Sequence, residues 1–330
     1  MPVPVFFLSA NGQDVTANFA GINMSMTITD GEGLKADTLQ LQLDDIDGSI
    51  IAPETGAILN PVGGYEGNLR DFGLFIVDSV AFAGWPQTIT VNAKSVAAKS
   101  LAKQREPKAY RKEEYPTYGD IFGEVAGKVG LQLEMAGELK SLPNPYEAQA
   151  EEDGLEFLTR LGAKINAAVT VKSQRLVVVV KGKGQSASGG ALDVLVVSPG
   201  INLISYTVTE ADEPKHGEVE ATYYDRAKNE RKTVSESTGL EGPKLLLRSP
   251  FSEEGEAKRA ARAKAEELKR IQATASFEID GAPFAQAEAY AEVSGCRPRV
   301  DGRWRIKTAT HNFSATGPYT TSLECETPTE

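Results

Sequence analysis

Apolar and polar residues alternate with period two at both ends of this chain, and helical spacing replaces that pattern in between. Met24, Met26 and Ile28 alternate with Ser25, Thr27 and Thr29, and Leu39, Leu41 and Leu43 alternate with Gln40 and Gln42. Successive strand side chains point to opposite faces, so these segments bury one face and wet the other, as half-buried antiparallel strands do. Ile89, Val91 and Ala93 repeat the pattern after a Gly84-Trp85-Pro86 break. Several short strands punctuated by Gly, Asn and Asp predict a first antiparallel β-barrel over 1–102. Alternation returns at Ile204, Tyr206 and Val208, and again at Val219, Ala221 and Tyr223, which predicts a second barrel over 201–330.

The middle reads differently. Thr117 is placed to cap a helix whose Ile121, Phe122, Val125 and Val129 share one face. A second helix opens at Asp153, with Glu156 at the capping-box spacing and an apolar stripe of Leu155, Leu158, Leu161 and Ile165. Strands follow at 168–172 and 176–180. A small α+β domain over 103–200 is therefore expected between the barrels, giving a mainly β chain with an α+β insert. The glycine-rich stretch 182–190 is expected to be a mobile loop. A phosphate cradle would need these glycines to lead into a helix, whereas Leu192–Val197 reads as a strand.

One long helix is predicted at 253–272. Its stripe of Ala257, Ala261, Ala265 and Leu268 is narrow and small, so it should pack closely on a flat surface. Lys258, Arg259, Arg262 and Lys264 are balanced by neighbouring glutamates, which makes a solvated charged face rather than a nucleic-acid stripe. An internal echo runs through the flanking regions: Gly73, Phe75, Val77, Val80 and Phe82 match Gly302, Trp304, Ile306, Ala309 and His311 in type and spacing. Two similar barrel domains account for it.

Composition narrows the function. The 330 residues carry 46 acidic and 35 basic side chains, for a net charge of −11. That balance argues against a nucleic-acid reader, which gains affinity by neutralising phosphates, and against an anionic membrane as partner. The longest apolar runs fall far short of the ~20 residues of a membrane span. Met1-Pro2-Val3-Pro4 has neither the basic nor the apolar region of a secretory signal, so folding in a cytoplasm is expected. Cys296 and Cys325 have no metal or redox spacing and are expected to be small apolar fillers in strands.

Catalytic constellations do not emerge. His216, in an expected turn, and His311, at an expected strand end with its ring partly exposed, are the chain's two histidines, and neither belongs to a metal or nucleophile motif. Acidic pairs such as Asp44-Asp45 and Glu151-Glu152 read as solvated surface, because adjacent strand residues face opposite ways. We therefore expect no catalytic, cofactor-binding or metal-binding residue and no cofactor.

Three groups of residues, in order, resemble the phage late control D family, the baseplate hub proteins of contractile tails. Gly63-Gly64-Tyr65 followed by Gly73-Leu-Phe75-Ile-Val77-Asp78 is similar to the family's paired strand motif. Tyr146, Gln149 and Asp153 with Phe157-Leu158-Thr159-Arg160-Leu161 resemble its central signature, with Glu152 where serine is more usual. Gly302–Ile306, His311 and Tyr319-Thr-Thr321-Ser-Leu323-Glu324 match its C-terminal pattern, with Pro318 where glycine is common.

The resemblance implies a homotrimeric hub, related to the spike hubs of type VI secretion. Two barrels in each of three chains would give a pseudo-sixfold ring that joins a six-fold tail tube to a three-fold central spike. It also implies other baseplate proteins as partners, passage of the tape-measure protein through the lumen, and a location in the virion tail baseplate after assembly in the host cytoplasm. Phe157, Leu158 and Leu161 are expected in the core, with Arg160 paired to an acidic neighbour. A lumen that must not hold its cargo should carry acidic and small polar side chains, with those of 37–47, including Asp44, Asp45 and Asp47, as candidates. Two other classes fit a β protein of the tail tip. A carbohydrate binder would expose aromatics, with Trp85, Trp304 and Tyr319 as candidates although core or turn packing is favoured for the tryptophans. A cell-wall hydrolase would need a further lytic segment.

Overall fold

The computed structural model describes residues 3–33, 37–96, 106–172, 174–210 and 215–328. The expected boundary at 102/103 lies outside these residues. The first region supplies β1 (Pro4–Ala10), β2 (Gln13–Asp14), β3 (Met24–Gly31), β4 (Thr38–Asp44), β5 (Ile58–Tyr65), β6 (Asn68–Asp71), β7 (Phe75–Ala83) and β8 (Thr88–Ser95). The alternation behaves as its chemistry demands. Met24, Met26 and Ile28 face Leu43, Leu41 and Leu39 across the β3–β4 ladder, and these in turn face Ile89, Val91 and Ala93 on β8, all buried.

The middle region contains β9 (Lys108–Arg111), α1 (Tyr118–Lys128), β10 (Gln132–Met135), α2 (Gly137–Lys140), β11 (Tyr146–Gln149), α3 (Gly154–Lys164), β12 (Ala167–Lys172) and β13 (Arg175–Val180). Both capping boxes form. Thr117 Oγ1 accepts from Asp120 N–H while Asp120 accepts from Thr117, and Asp153 does the same with Glu156. The two helices close one core over the β10–β13–β12 sheet, with Tyr110, Phe122, Phe157, Leu158 and Leu161 fully buried.

The last region adds β14 (Val194–Val197), β15 (Leu203–Glu210), β16 (Glu218–Asp225), β17 (Glu230–Ser237), β18 (Lys244–Leu246), α4 (Glu254–Arg270), β19 (Ala273–Asp280), β20 (Tyr290–Val293), β21 (Gly302–Ser314) and β22 (Thr320–Glu326). Val219, Ala221 and Tyr223 do not continue a barrel. They lie on a separate sheet, β17–β16–β18, and meet the alanine stripe of α4. Alanine at every fourth position removes the bulk that would hold helix and sheet apart. The expectation that this helix lies on a flat surface holds, and the surface is this small sheet.

The two flanking β regions share one continuous sheet, antiparallel along its main path and parallel where β14 pairs with β20. Its order is β15–β19–β22–β21–β3–β4–β8–β7–β5–β1–β2, and β20, β14 and β6 pair alongside to make 14 strands. The seam is the β3–β21 ladder, where Ile28 faces His311 and Met26 faces Phe313. Phe313 and Tyr319 from the C-terminal region stack at 4.1 Å inside the first region's core. Burying two such rings supplies several kcal/mol of apolar transfer energy, at ~1.5–3 kcal/mol per large side chain.

Candidate functional site

The tandem arrangement of the sheet sets the surfaces available for function. In sheet order the strands fall into two sets of four, β7–β8–β4–β3 and β21–β22–β19–β15, laid head to tail. Equivalence between the sets is visible in detail. β7 is bulged between Val77 and Ser79 against β8, and β21 between Ile306 and Thr308 against β22, at positions matched by the sequence echo. A bulge places one extra residue at a defined point and re-aims the strand, so matched bulges mark a shared backbone plan. The ion pairs match too. Arg70, three residues before Gly73, binds Asp30 at 2.7 Å, and Arg299, three residues before Gly302, binds Glu210 at 3.0 Å. Asp30 and Glu210 lie in the last two residues of the equivalent strands β3 and β15.

One face of this sheet is the core; the other is a carpet of short polar side chains. Ser25, Thr27 and Thr29 of β3 lie beside Gln40 and Gln42 of β4. Thr308, Thr310 and Asn312 of β21 continue the face beyond the seam. These groups bond to one another across strands: Thr27 Oγ1 donates to Asn312 at 3.2 Å, Gln40 Nε2 to Asn92 at 3.0 Å, and Asn92 Nδ2 to Ser79 at 3.2 Å. Charges are few on this face: Lys94 is paired with Asp78 at 2.8 Å, and Glu324, facing Thr308, and Glu278, facing Ser322, place negative charge within the second set of strands.

Behind the seam lies a buried ionic cluster. Arg305 is fully buried between Glu288 and Glu326, and its Nη2 donates to Glu32 at 2.8 Å. Lys181 also binds Glu32, Arg270 approaches Glu326 at 3.4 Å, and Gly182 N–H donates to Glu288 at 3.1 Å. Three carboxylates thus meet three cations from the insert, α4 and the sheet. Burial opposes the charge of Glu32, but Arg305 and Lys181 outweigh it and hold its carboxyl below the ordinary range. A second junction joins Lys172 of the insert and Arg70 to Asp30; Arg70 also donates to Pro283 O at 3.0 Å and Ala285 O at 2.7 Å.

The residues singled out from sequence fall as follows. His311 is not a partly exposed strand end: it sits within β21, fully buried. Its Nε2–H donates to Ala285 O at 3.2 Å and its Nδ1 accepts from Tyr319 O–H at 2.9 Å, a neutral ring doing structural work. Burial, aided by Arg70, lowers its pKa to about 3. His216 lies far from it in sequence and approaches Pro243 O at 3.3 Å. Trp304 and Tyr319 are buried, whereas Trp85 is 84% exposed, so the three aromatics do not form one platform. Cys325 is buried in β22 as expected; Cys296 is half-buried and outside any strand. The stretch 182–190 is not free of ties, since Gly182 and Lys183 bond to Glu288 and Glu138 and Ser186 closes a turn with Gly190. Asp45 is buried and accepts from Ile50 N–H at 3.1 Å, Asp44 accepts from Asn23 at 2.8 Å, and Asp47 caps Ser49. Phe157, Leu158 and Leu161 are core, and Arg160 binds Glu152 at 2.7 Å. Among the described residues no three His, Cys, Asp or Glu side chains are grouped to hold a metal ion, and no helix is long and apolar enough to cross a membrane.

Tandem four-strand units on one sheet, with a polar face and a central α+β insert, define a mainly β structural module of duplicated type. Residues 97–317 match the family model described as phage tail baseplate hub (GPD), and the chain belongs to that family. It is 29% identical to the probable baseplate hub protein of Escherichia phage 186, over 98% of this chain and 92% of that protein. It is 28% identical to the corresponding protein of Escherichia phage P2, over 98% and 93%. In fold it is similar to the 43 kDa tail protein of prophage MuSo2 from Shewanella oneidensis, with a TM-score of 0.69 at 14% identity and 99% coverage of both chains.

Proposed function

We propose that three copies of this chain form the ring-shaped hub of a contractile tail baseplate, joining the six-fold tail tube to the three-fold central spike. The tandem duplication carries this reading: two equivalent four-strand units per chain supply six equivalent units in three chains. In this reading segments 1–102 and 201–330 build the ring, and 103–200 is the insert that meets other baseplate proteins. The hydroxyl- and amide-lined face turns inward, where short uncharged side chains and a few carboxylates pass the tape-measure protein or DNA without holding it. The hub acts as a structural part and not as a catalyst, and it assembles in the host cytoplasm.

Sedimentation and negative-stain imaging of the chain with its spike protein test the reading. A ring of three with a central opening is the expected result. Monomers alone at all concentrations, or a lumen lined by Lys and Arg, would overturn it. Clearing of peptidoglycan in a zymogram would show a catalyst instead.

A further inference from the structure

Resting on the ring reading, we propose that adjacent copies join by antiparallel pairing of β15 of one copy with the outer half of β7 of the next. The register is Val80–Glu210, Ala81–Thr209, Phe82–Val208 and Ala83–Thr207. The chain shows one such joint within itself and leaves the matching halves of another open.

The register follows from equivalences across the ladders. In the first unit Val77 faces Ala93, Ala93 faces Leu39, and Leu39 faces Ile28. In the second, Ile306 faces Cys325, Cys325 faces Ala275, and Ala275 faces Val208. Ile28 and Val208 are therefore equivalent. At the seam Ile28 faces His311, which lies three residues after the bulge residue Thr308. The residue three after the matching bulge residue Ser79 is Phe82. Repeating the seam places Val208 opposite Phe82.

The two open edges carry the marks of a missing neighbour. The first part of β21 pairs with β20 and the remainder with β3, whereas β7 pairs with β5 at Phe75 and Ile76 only. Among the described residues no strand lies against the outer side of β7 beyond that point, nor against the outer side of β15. Phe82 is 71% exposed, although its counterpart His311 is fully buried. On the other edge Ile204 is exposed and Val208 is only half-buried. A long unpaired strand with apolar side chains seeks a partner, and the edge that fits is already on the same molecule. The contact is heterologous, so it propagates from copy to copy until the ring closes.

Disulfide mapping in a Cys296→Ser background tests the register. Facing residues of an antiparallel pair lie ~4.5–5.5 Å apart at Cα, within disulfide reach, whereas a shift of one residue turns the side chains to opposite faces. A tagged Phe82→Cys chain is mixed with an untagged Val208→Cys chain and oxidised, with Thr207→Cys as the shifted partner. The in-register pair should cross-link about tenfold faster or more. Phe82→Asp, at an exposed position outside the monomer core, should raise the concentration for half-association by about tenfold or more. If copies associate by sedimentation but the in-register pair does not cross-link faster, or Phe82→Asp leaves association unchanged, the strand pairing is overturned and the ring reading stands. If the wild-type copies never associate, alone or in tails, both fall.

Discussion

Arg305→Met removes the cation at the centre of the buried cluster while keeping much of its volume. The wild-type guanidinium is fully buried and serves Glu32, Glu288 and Glu326 together. Without it, Glu288 keeps the Gly182 N–H at 3.1 Å and Glu326 keeps Arg270 at 3.4 Å, against three carboxylates and only two remaining cations. Breaking a buried pair by deleting one partner costs about 3–5 kcal/mol, because the surviving charge stays desolvated. At ~2.1 cal/mol/K of unfolding entropy per residue, 4 kcal/mol over 330 residues is a fall in Tm of about 6 °C. The pH dependence sharpens the test. A surplus carboxylate in a dry site takes up a proton as the pH falls, so the cost should be largest near pH 8 and shrink towards pH 5. Denaturant unfolding followed by circular dichroism at both pH values measures this. A loss under about 1 kcal/mol at pH 8, or one that does not shrink in acid, would refute the claim that charge compensation holds the seam.

His311→Gln should flatten the acid limb of stability: the folded pKa near 3 lies below the ordinary 6.5, so wild-type stability is full above pH 6.5 and is lost as pH falls towards 3. Asp37 works the other way. Burial raises its carboxyl and Asp30 adds to this, against the pull of Lys172 and Arg70, so it is pushed up to about 7. A raised carboxyl loses its stabilising contribution as pH rises from ~4 to ~7, so the benefit of Asp37→Asn over wild type should grow through that window and level off above it; an unchanged difference would sink the idea. Gly281→Ala would set a Cβ 2.0 Å from Tyr319 Cδ1, forcing the ring off Phe313 at a cost of about 1–3 kcal/mol, visible as lost near-ultraviolet dichroism.

Much of this architecture is legible from local chemistry. The alternation of β3, β4 and β8, the caps at Thr117 and Asp153, and the alanine stripe of α4 each rest on neighbours a few residues apart, where sequence and geometry speak directly. The echo between Gly73–Phe82 and Gly302–His311 was legible as well, and the matched bulges give it a backbone cause. The seam was not. Thr27 and Asn312 are 285 residues apart, and nothing local fixes which distant edge a strand will join. The burial of Arg305 was hidden for a related reason: Trp304, Arg305 and Ile306 are all buried, so the strand is covered on both faces there and alternation no longer reports exposure. A charged residue wedged between Trp and Ile was the available signal. Likewise Val219, Ala221 and Tyr223 have the period of a strand, and period alone does not say which sheet receives it.

The seam between β3 and β21 joins two units with one backbone plan and different side chains. In the proposed ring the hydrogen-bond ladder would repeat at every unit, but the chemistry displayed on it only at every second. Phe82 and His311 occupy one position of the plan, as do Ile28 and Val208. A partner that docks by main-chain geometry would meet six like sites, while a partner that reads side chains would find three. In that ring a single polypeptide would present two periodicities at once, each open to a different neighbour.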